Sequence, residues 1–339
     1  MKRTTYTILA AVAVVLAFVV ITFGAYVRLS DAGLGCPDWP GCYGQLAVPE
    51  TKEAIDKANV AYPQRQLEPG KAWKEMYHRY IATGLGVLIL LLAAIAWTYR
   101  SNGLPVMLPT VLVGLVTLQG LLGMWTVTLL VKPLIVTAHL AGGLITLMML
   151  WWLVLRTGRL FITHEPIFIR FRPWIGFGMV LLFVQVLLGG WTSTNYAAAA
   201  CIEFPTCYAG MWWPPTDFHE AFTLWRGLGI NYEFGVLENP ARTAIHLAHR
   251  IGALVVFVYL VVLSVQIMQR AKSVIHAYIG VALHVLLLAQ VSLGIATVLN
   301  YRQLSVAVAH NAGAALLLLV LLSLFHASKP LAEVPTKDA

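Results

Sequence analysis

Eight stretches of this chain are apolar over roughly the 20 residues that a helix needs to cross a bilayer, and few folds are open to a chain built that way. They run over about 8–27, 76–98, 104–130, 133–155, 173–192, 243–267, 274–299 and 304–326. Only 11% of the 339 residues are charged and 59% are hydrophobic, whereas an ordinary soluble domain carries roughly 25% charge. Lipid rather than water is therefore the main solvent of this fold. The expected class is an all-α membrane protein with eight transmembrane helices.

The net charge of +8 argues for membrane orientation and not for nucleic acid, because the basic residues sit in short connectors. With both termini in the cytoplasm, Lys2, Arg3, Arg100, Arg156, Arg159, Arg170, Arg172, Arg270, Lys272, Lys329 and Lys337 all lie inside. The short outer connectors then hold Lys132 and Arg302, and the two long loops, about 28–75 and 193–242, lie outside. Lys2 and Arg3 ahead of an apolar run also resemble a signal peptide, but the run is too long for one.

Two cysteine pairs, Cys36/Cys42 and Cys201/Cys207, fall in these outer loops. An oxidising compartment favours one local disulfide per loop, with a four-thiolate zinc site built from both loops as the rival.

The two halves of the chain repeat one another. EMYHR (75–79) matches HLAHR (246–250), QGLLGMWTV (119–127) matches QVSLGIATV (290–298), and AHLAGG (138–143) matches AHNAGA (309–314), all at an offset of 171. CPDWPGCYG (36–44) matches CIEFPTCYAG (201–210) at an offset of 165. An even number of segments per half makes the duplication parallel, so the expected architecture is two tandem four-helix bundles, 1–160 and 161–339, with sites inside the bundles.

His78, His139, His249 and His310 lie a few residues inside the outer ends of segments two, four, six and eight. An ionisable residue within a membrane segment is a functional-site hypothesis by default. At about 1.5 Å per residue all four sit within roughly 10 Å of the outer boundary. Two histidines on facing helices at matching depth can bracket one haem iron, which predicts the pairs His78 with His139 and His249 with His310. Gly142, Gly252 and Gly313, three residues beyond their histidines, are expected to let a flat ring approach the backbone. The competing reading is that the histidines merely bond neighbouring helices and the glycines serve packing. His164, His219, His276 and His326 fall in loops or at helix ends and read as solvated or capping, and His284 reads as a buried polar contact.

The halves differ at one telling position, where Glu75 faces His246. Three residues along a helix share a face, so Glu75 is expected beside His78, either as a base or charge stabiliser at the ring edge or as an interfacial charge. Gln119 and Gln290 are expected to bond between helices, and Arg79 and Arg250 either to pair with propionates or to snorkel.

With GAYVRLSDAGLGCPDWPGC (24–42), EMYHR (75–79) and the glutamine and histidine motifs of segments three and four on the page, the chain resembles the haem A synthase family over all eight segments. That resemblance implies oxidation of the C8 methyl of haem O to the formyl of haem A by successive hydroxylations. It implies an amino-terminal substrate half with Glu75, His78 and His139, and a carboxy-terminal half in which His249 and His310 hold an electron-carrying haem b. It further implies a bacterial plasma-membrane protein acting beside haem O synthase (protohaem farnesyltransferase) in cytochrome oxidase assembly, with a homo-oligomer left open. The first cysteine pair is linked in the family to activity or redox partnering, whereas residue spacing alone supports only a disulfide. A dihaem b-type electron carrier would use the same four histidines. A transporter of parallel repeats fits less well, because the membrane charges cluster at the segment ends.

Overall fold

The computed structural model describes residues 2–161 and 166–329, which leaves His164 and Lys337 outside. The described residues form ten α-helices: α1 (Arg3–Leu29), α2 (Lys52–Ala61), α3 (Pro69–Thr98), α4 (Met107–Thr128), α5 (Pro133–Gly158), α6 (Pro166–Thr194), α7 (Phe218–Ala221), α8 (Asn239–Arg270), α9 (Val274–Leu299) and α10 (Leu304–Ala327). All but α2 and α7 are long and apolar enough to span a membrane, so this is an all-helical, multi-pass membrane protein.

Four spanning helices, α1, α3, α6 and α8, start earlier than hydropathy alone suggests, whereas α5, α9 and α10 start where it places them and α4 starts three residues later. Proline at the first turn opens α3, α5 and α8, where its missing amide has no partner to lose. The first two turns of α3 thus precede the apolar run and carry Glu75 at the rim. α6 runs through Pro173, although Arg170 and Arg172 end the apolar run there. The Arg172 guanidinium bonds the Phe325 carbonyl at 2.8 Å and lies over the Phe325 ring. In the first outer loop, α2 is capped by Thr51, whose hydroxyl accepts the Ala54 amide at 3.2 Å. A helix this short and polar leaves no trace in a search for apolar runs.

α1, α3, α4 and α5 close a ring in which α1 and α4 each pack against α3 and α5. α6, α8, α9 and α10 close a second ring with the same order of neighbours. In each ring the two histidine-bearing helices, α3 and α5 or α8 and α10, stand diagonally across the bundle axis.

The rings meet along α1, α5, α6 and α10. Leu147, Leu150 and Leu153 of α5 and Leu317, Leu318, Leu321 and Leu324 of α10 are wholly buried at or beside that seam. Lipid is as apolar as leucine, so close packing and polar ties must supply the association. Ala10, Ala13 and Ala17 give α1 a small-residue face, and Trp151 Nε1 donates to Ser323 Oγ at 2.9 Å. At the outer end Arg28 donates to the Tyr196 hydroxyl and the Ser193 carbonyl, both at 2.9 Å. Arg65 pairs with Glu233 across the two long loops at 2.5 Å.

Candidate functional site

Each of the four histidines rests against a glycine of the neighbouring helix. A Cβ placed on Gly24 of α1 would come within 2.9 Å of His78 Cε1, and one on Gly189 of α6 within 3.1 Å of His249 Cε1. The same holds for Gly123 of α4 with His139 at 3.6 Å and Gly294 of α9 with His310 at 3.0 Å. These glycines lack a side chain because an imidazole occupies the notch. His78 and His139 lie near one another, as do His249 and His310. All four residues stay half-buried, yet Nδ1 of His78 and of His139 is fully covered and has no partner among the described residues.

The glycines that follow the histidines correct the sequence reading. A Cβ on Gly142, Gly252 or Gly313 would overlap the amide of Gln119, Gln185 or Gln290 respectively. These positions are filled by a glutamine side chain from the adjacent helix. One turn toward the membrane centre the helices already pack. Gln290 Nε2 donates to the His310 carbonyl at 2.9 Å, and His310 Nδ1 donates to the Gln290 carbonyl at 3.0 Å. Gln185, which the repeat comparison passed over, places Nε2 2.9 Å from both Nδ1 and the carbonyl of His249. Gln119 Nε2 has no partner among the described residues. The signal for Gln185 was a lone amide in the middle of a membrane helix, one turn before Gly189.

Glu75 is 4% exposed, with both oxygens engaged. Oε2 accepts the Cys36 amide at 2.9 Å, and Oε1 pairs with Arg79 one turn along α3. Arg79 also donates to the carbonyls of Asp38, Pro40 and Gly41, so its guanidinium holds the first cysteine loop and does not snorkel. Arg250 does the same for the second loop, at the carbonyls of Glu203, Pro205 and Thr206. His246, standing where Glu75 stands, turns away and donates from Nδ1 to the Ala197 carbonyl at 3.1 Å.

Both cysteine pairs are closed as disulfides, Cys36 with Cys42 and Cys201 with Cys207, which removes the four-thiolate zinc alternative. The loops share a further device, a carboxylate that gathers amides. Asp38 accepts from Tyr43 and Gly44, and Glu203 from Ala209 and Gly210. The Thr206 hydroxyl and those amides hold the Glu203 carboxyl below the usual range. Burial pushes the Tyr43 phenol up to about 12.

Among the remaining histidines, His284 meets the Ser264 hydroxyl of α8 at 2.9 Å, a helix-to-helix contact as expected. His276 and His326 are not solvated caps. His276 is wholly buried and stacks on Phe168, and His326 is buried edge-on against Trp152, because the helix ends they occupy are covered by aromatic residues of neighbouring helices.

Residues 7–322 match the family described as cytochrome oxidase assembly protein. The chain is 42% identical over 317 residues to the heme A synthase of Shewanella oneidensis, covering 92% of this chain and 93% of that protein. The chain belongs to the haem A synthase family. More distant members include the heme A synthases of Rhizorhabdus wittichii, 28% identical with 91% of this chain and 89% of that protein covered, and of Bacillus licheniformis, 26% identical with 86% and 85% covered.

Proposed function

We propose that this chain is a haem A synthase, an oxidoreductase that converts the C8 methyl of haem O to the formyl of haem A by successive hydroxylations. The observation that carries this reading is the pair of diagonal histidine sets, each seated in glycine notches at one end of its ring. The amino-terminal ring, residues 1–160, takes the substrate between His78 and His139. The carboxy-terminal ring, residues 161–339, takes a haem b between His249 and His310.

The donor set suits that assignment. A histidine that binds iron through Nε2 must carry its proton on Nδ1, and a second-shell acceptor fixes that tautomer. His310 has such an acceptor in the Gln290 carbonyl. At His249 the Gln185 amide stands 2.9 Å from Nδ1 and from the backbone carbonyl, which holds the ring in position from behind. Haem b, when bound, supplies one-electron transfer.

Glu75 is the residue of the amino-terminal ring that acts on the substrate. It stands one turn before His78, and Arg79 and the Cys36 amide hold its two oxygens in place. A fixed carboxylate there stabilises positive charge developing at the oxidised carbon and receives its proton. His246 leaves the other ring without a carboxylate at this position, which fits a carrier and not a reaction centre.

The protein sits in the bacterial plasma membrane with both termini cytoplasmic, as the basic connectors favour, and draws haem O from haem O synthase in cytochrome oxidase assembly. Expressing it with a haem O source, extracting every bound porphyrin and identifying each by mass tests the whole reading. A formyl haem is expected. Haem b in both rings with no formyl product would instead identify a dihaem electron carrier.

A further inference from the structure

At the end of the bundle opposite the four histidines, a cavity of about 380 Å³ opens at the seam between the rings. Its walls bring together Arg3 of α1, Arg156 and Arg159 at the end of α5, and His326 and Lys329 at the end of α10. No carboxylate lines it, and none of these cations has an acidic partner among the described residues. A basic connector on this side is what membrane orientation asks for, but orientation does not gather basic residues from both rings around one hollow.

Among the described residues the charge here is left uncompensated. Arg3 is used in place, donating to the carbonyls of Thr157 and Arg156 at 2.9 Å each. Lys329 lies 4.7 Å from the centre of the Trp152 ring, and partial desolvation, then the charges of Arg156 and Arg172, hold its ammonium below the usual lysine range. His326 Nδ1 is covered and unpartnered. Like charges brought this close repel unless an anion joins them, and guanidinium and ammonium groups around a hollow at the membrane boundary suit a phosphate.

We propose that this cavity binds the phosphate of an anionic phospholipid, which then bridges the amino-terminal and carboxy-terminal rings. The site is separate from the haem positions and does not depend on them.

The test uses the full-length protein in phosphatidylcholine nanodiscs with and without phosphatidylglycerol. Phosphatidylglycerol is expected to raise the thermal midpoint by about 2–4 °C, as saturation of one site would. Native mass spectrometry is expected to find one more phosphatidylglycerol retained on the natural protein than on Arg156→Gln/Lys329→Gln. Equal retention, or an equal thermal shift in that variant, would overturn the proposal. Inorganic phosphate is expected to give no shift, and protection equal to that of the lipid would assign the site to a soluble phosphate instead. Should the double variant fail to fold, Arg159→Asn serves, because asparagine tolerates the left-handed backbone at that position (φ 51°). Its retaining the full lipid complement and shift would equally overturn the assignment.

Discussion

In the ring of α6, α8, α9 and α10, the Nδ1 atoms of both histidines meet a glutamine residue of the neighbouring helix, whereas in the ring of α1, α3, α4 and α5 neither does. The difference traces to few substitutions. Gln185 corresponds to Val20 and Gly252 to Ile81, so the amino-terminal ring lost both the amide and the notch that receives it. Gln119 keeps its place against Gly142, but its amide nitrogen stays unpartnered. A ring whose ligands are oriented from behind suits a permanently held group, and a ring with looser ligands suits a molecule that must enter, react and leave. The carboxylate follows the same division, with Glu75 in the looser ring and His246 in the tighter one.

The largest effect is expected where that difference is removed altogether. His249→Ala or His310→Ala should abolish the low-spin b-type spectrum of the purified protein, while His78→Ala should leave it in place. Equal loss from all three would show that the rings do not divide the work. Glu75→Ala comes next. Extracted porphyrin should show haem retained and haem A output reduced by on the order of a hundredfold or more, the scale of a lost proton-transfer group. Unchanged output would confine Glu75 to holding the Cys36 loop with Arg79.

Gln185→Leu sharpens the comparison further. Loss of an outer-shell partner typically costs a ligand site roughly 10–100-fold in affinity, so haem b should dissociate faster and its potential should move. Gln119→Leu should do neither, since its amide orients nothing. If the two variants behave alike, the asymmetry of the rings is one of packing only. Opening the disulfides should give a smaller, nearly equal loss of stability in either loop, about 2 kcal/mol for so short a closed segment. Activity should separate them, because only Cys36 donates its amide to Glu75. Thermal melts beside product assays of Cys36→Ala/Cys42→Ala and Cys201→Ala/Cys207→Ala would read both.

The spans, the repeat and the four histidines were legible in the sequence because each is a periodic or recurrent signal. Hydropathy marks the lipid-facing length, and an offset of 171 marks equivalent places. What was not legible depended on contacts between helices whose order in the ring is not written in any one segment. Gly142 and Gly313 read as room for a flat ring, yet the neighbouring glutamines fill that room. Arg79 and Arg250 read as anion partners or snorkelling charges, yet they close over loop carbonyls 38–41 and 203–206. Gln185 was overlooked because it has no counterpart, and a comparison of halves finds only what both halves kept.

The smallest expected effect concerns the outer loops, where Asp38 and Glu203 both gather amides and Glu203 accepts the Thr206 hydroxyl besides. Glu203 accepts the Thr206 hydroxyl at 2.8 Å and the amides of Gly210 and Ala209 at 3.1 and 3.0 Å, which hold its carboxyl below the ordinary value. A group whose folded value is depressed stabilises its surroundings above the unfolded value, near pH 4 for glutamate, and that contribution fades as pH falls through the folded value. The 201–210 loop should therefore loosen only in acid, seen as faster amide exchange at Ala209 and Gly210 below about pH 4, after allowance for the intrinsic pH dependence of exchange. Glu203→Gln should exchange faster at neutral pH and lose most of that acid response. A loop whose protection in the natural protein is the same at pH 3 and pH 7 would show that the disulfide and Arg250 hold it without the carboxylate.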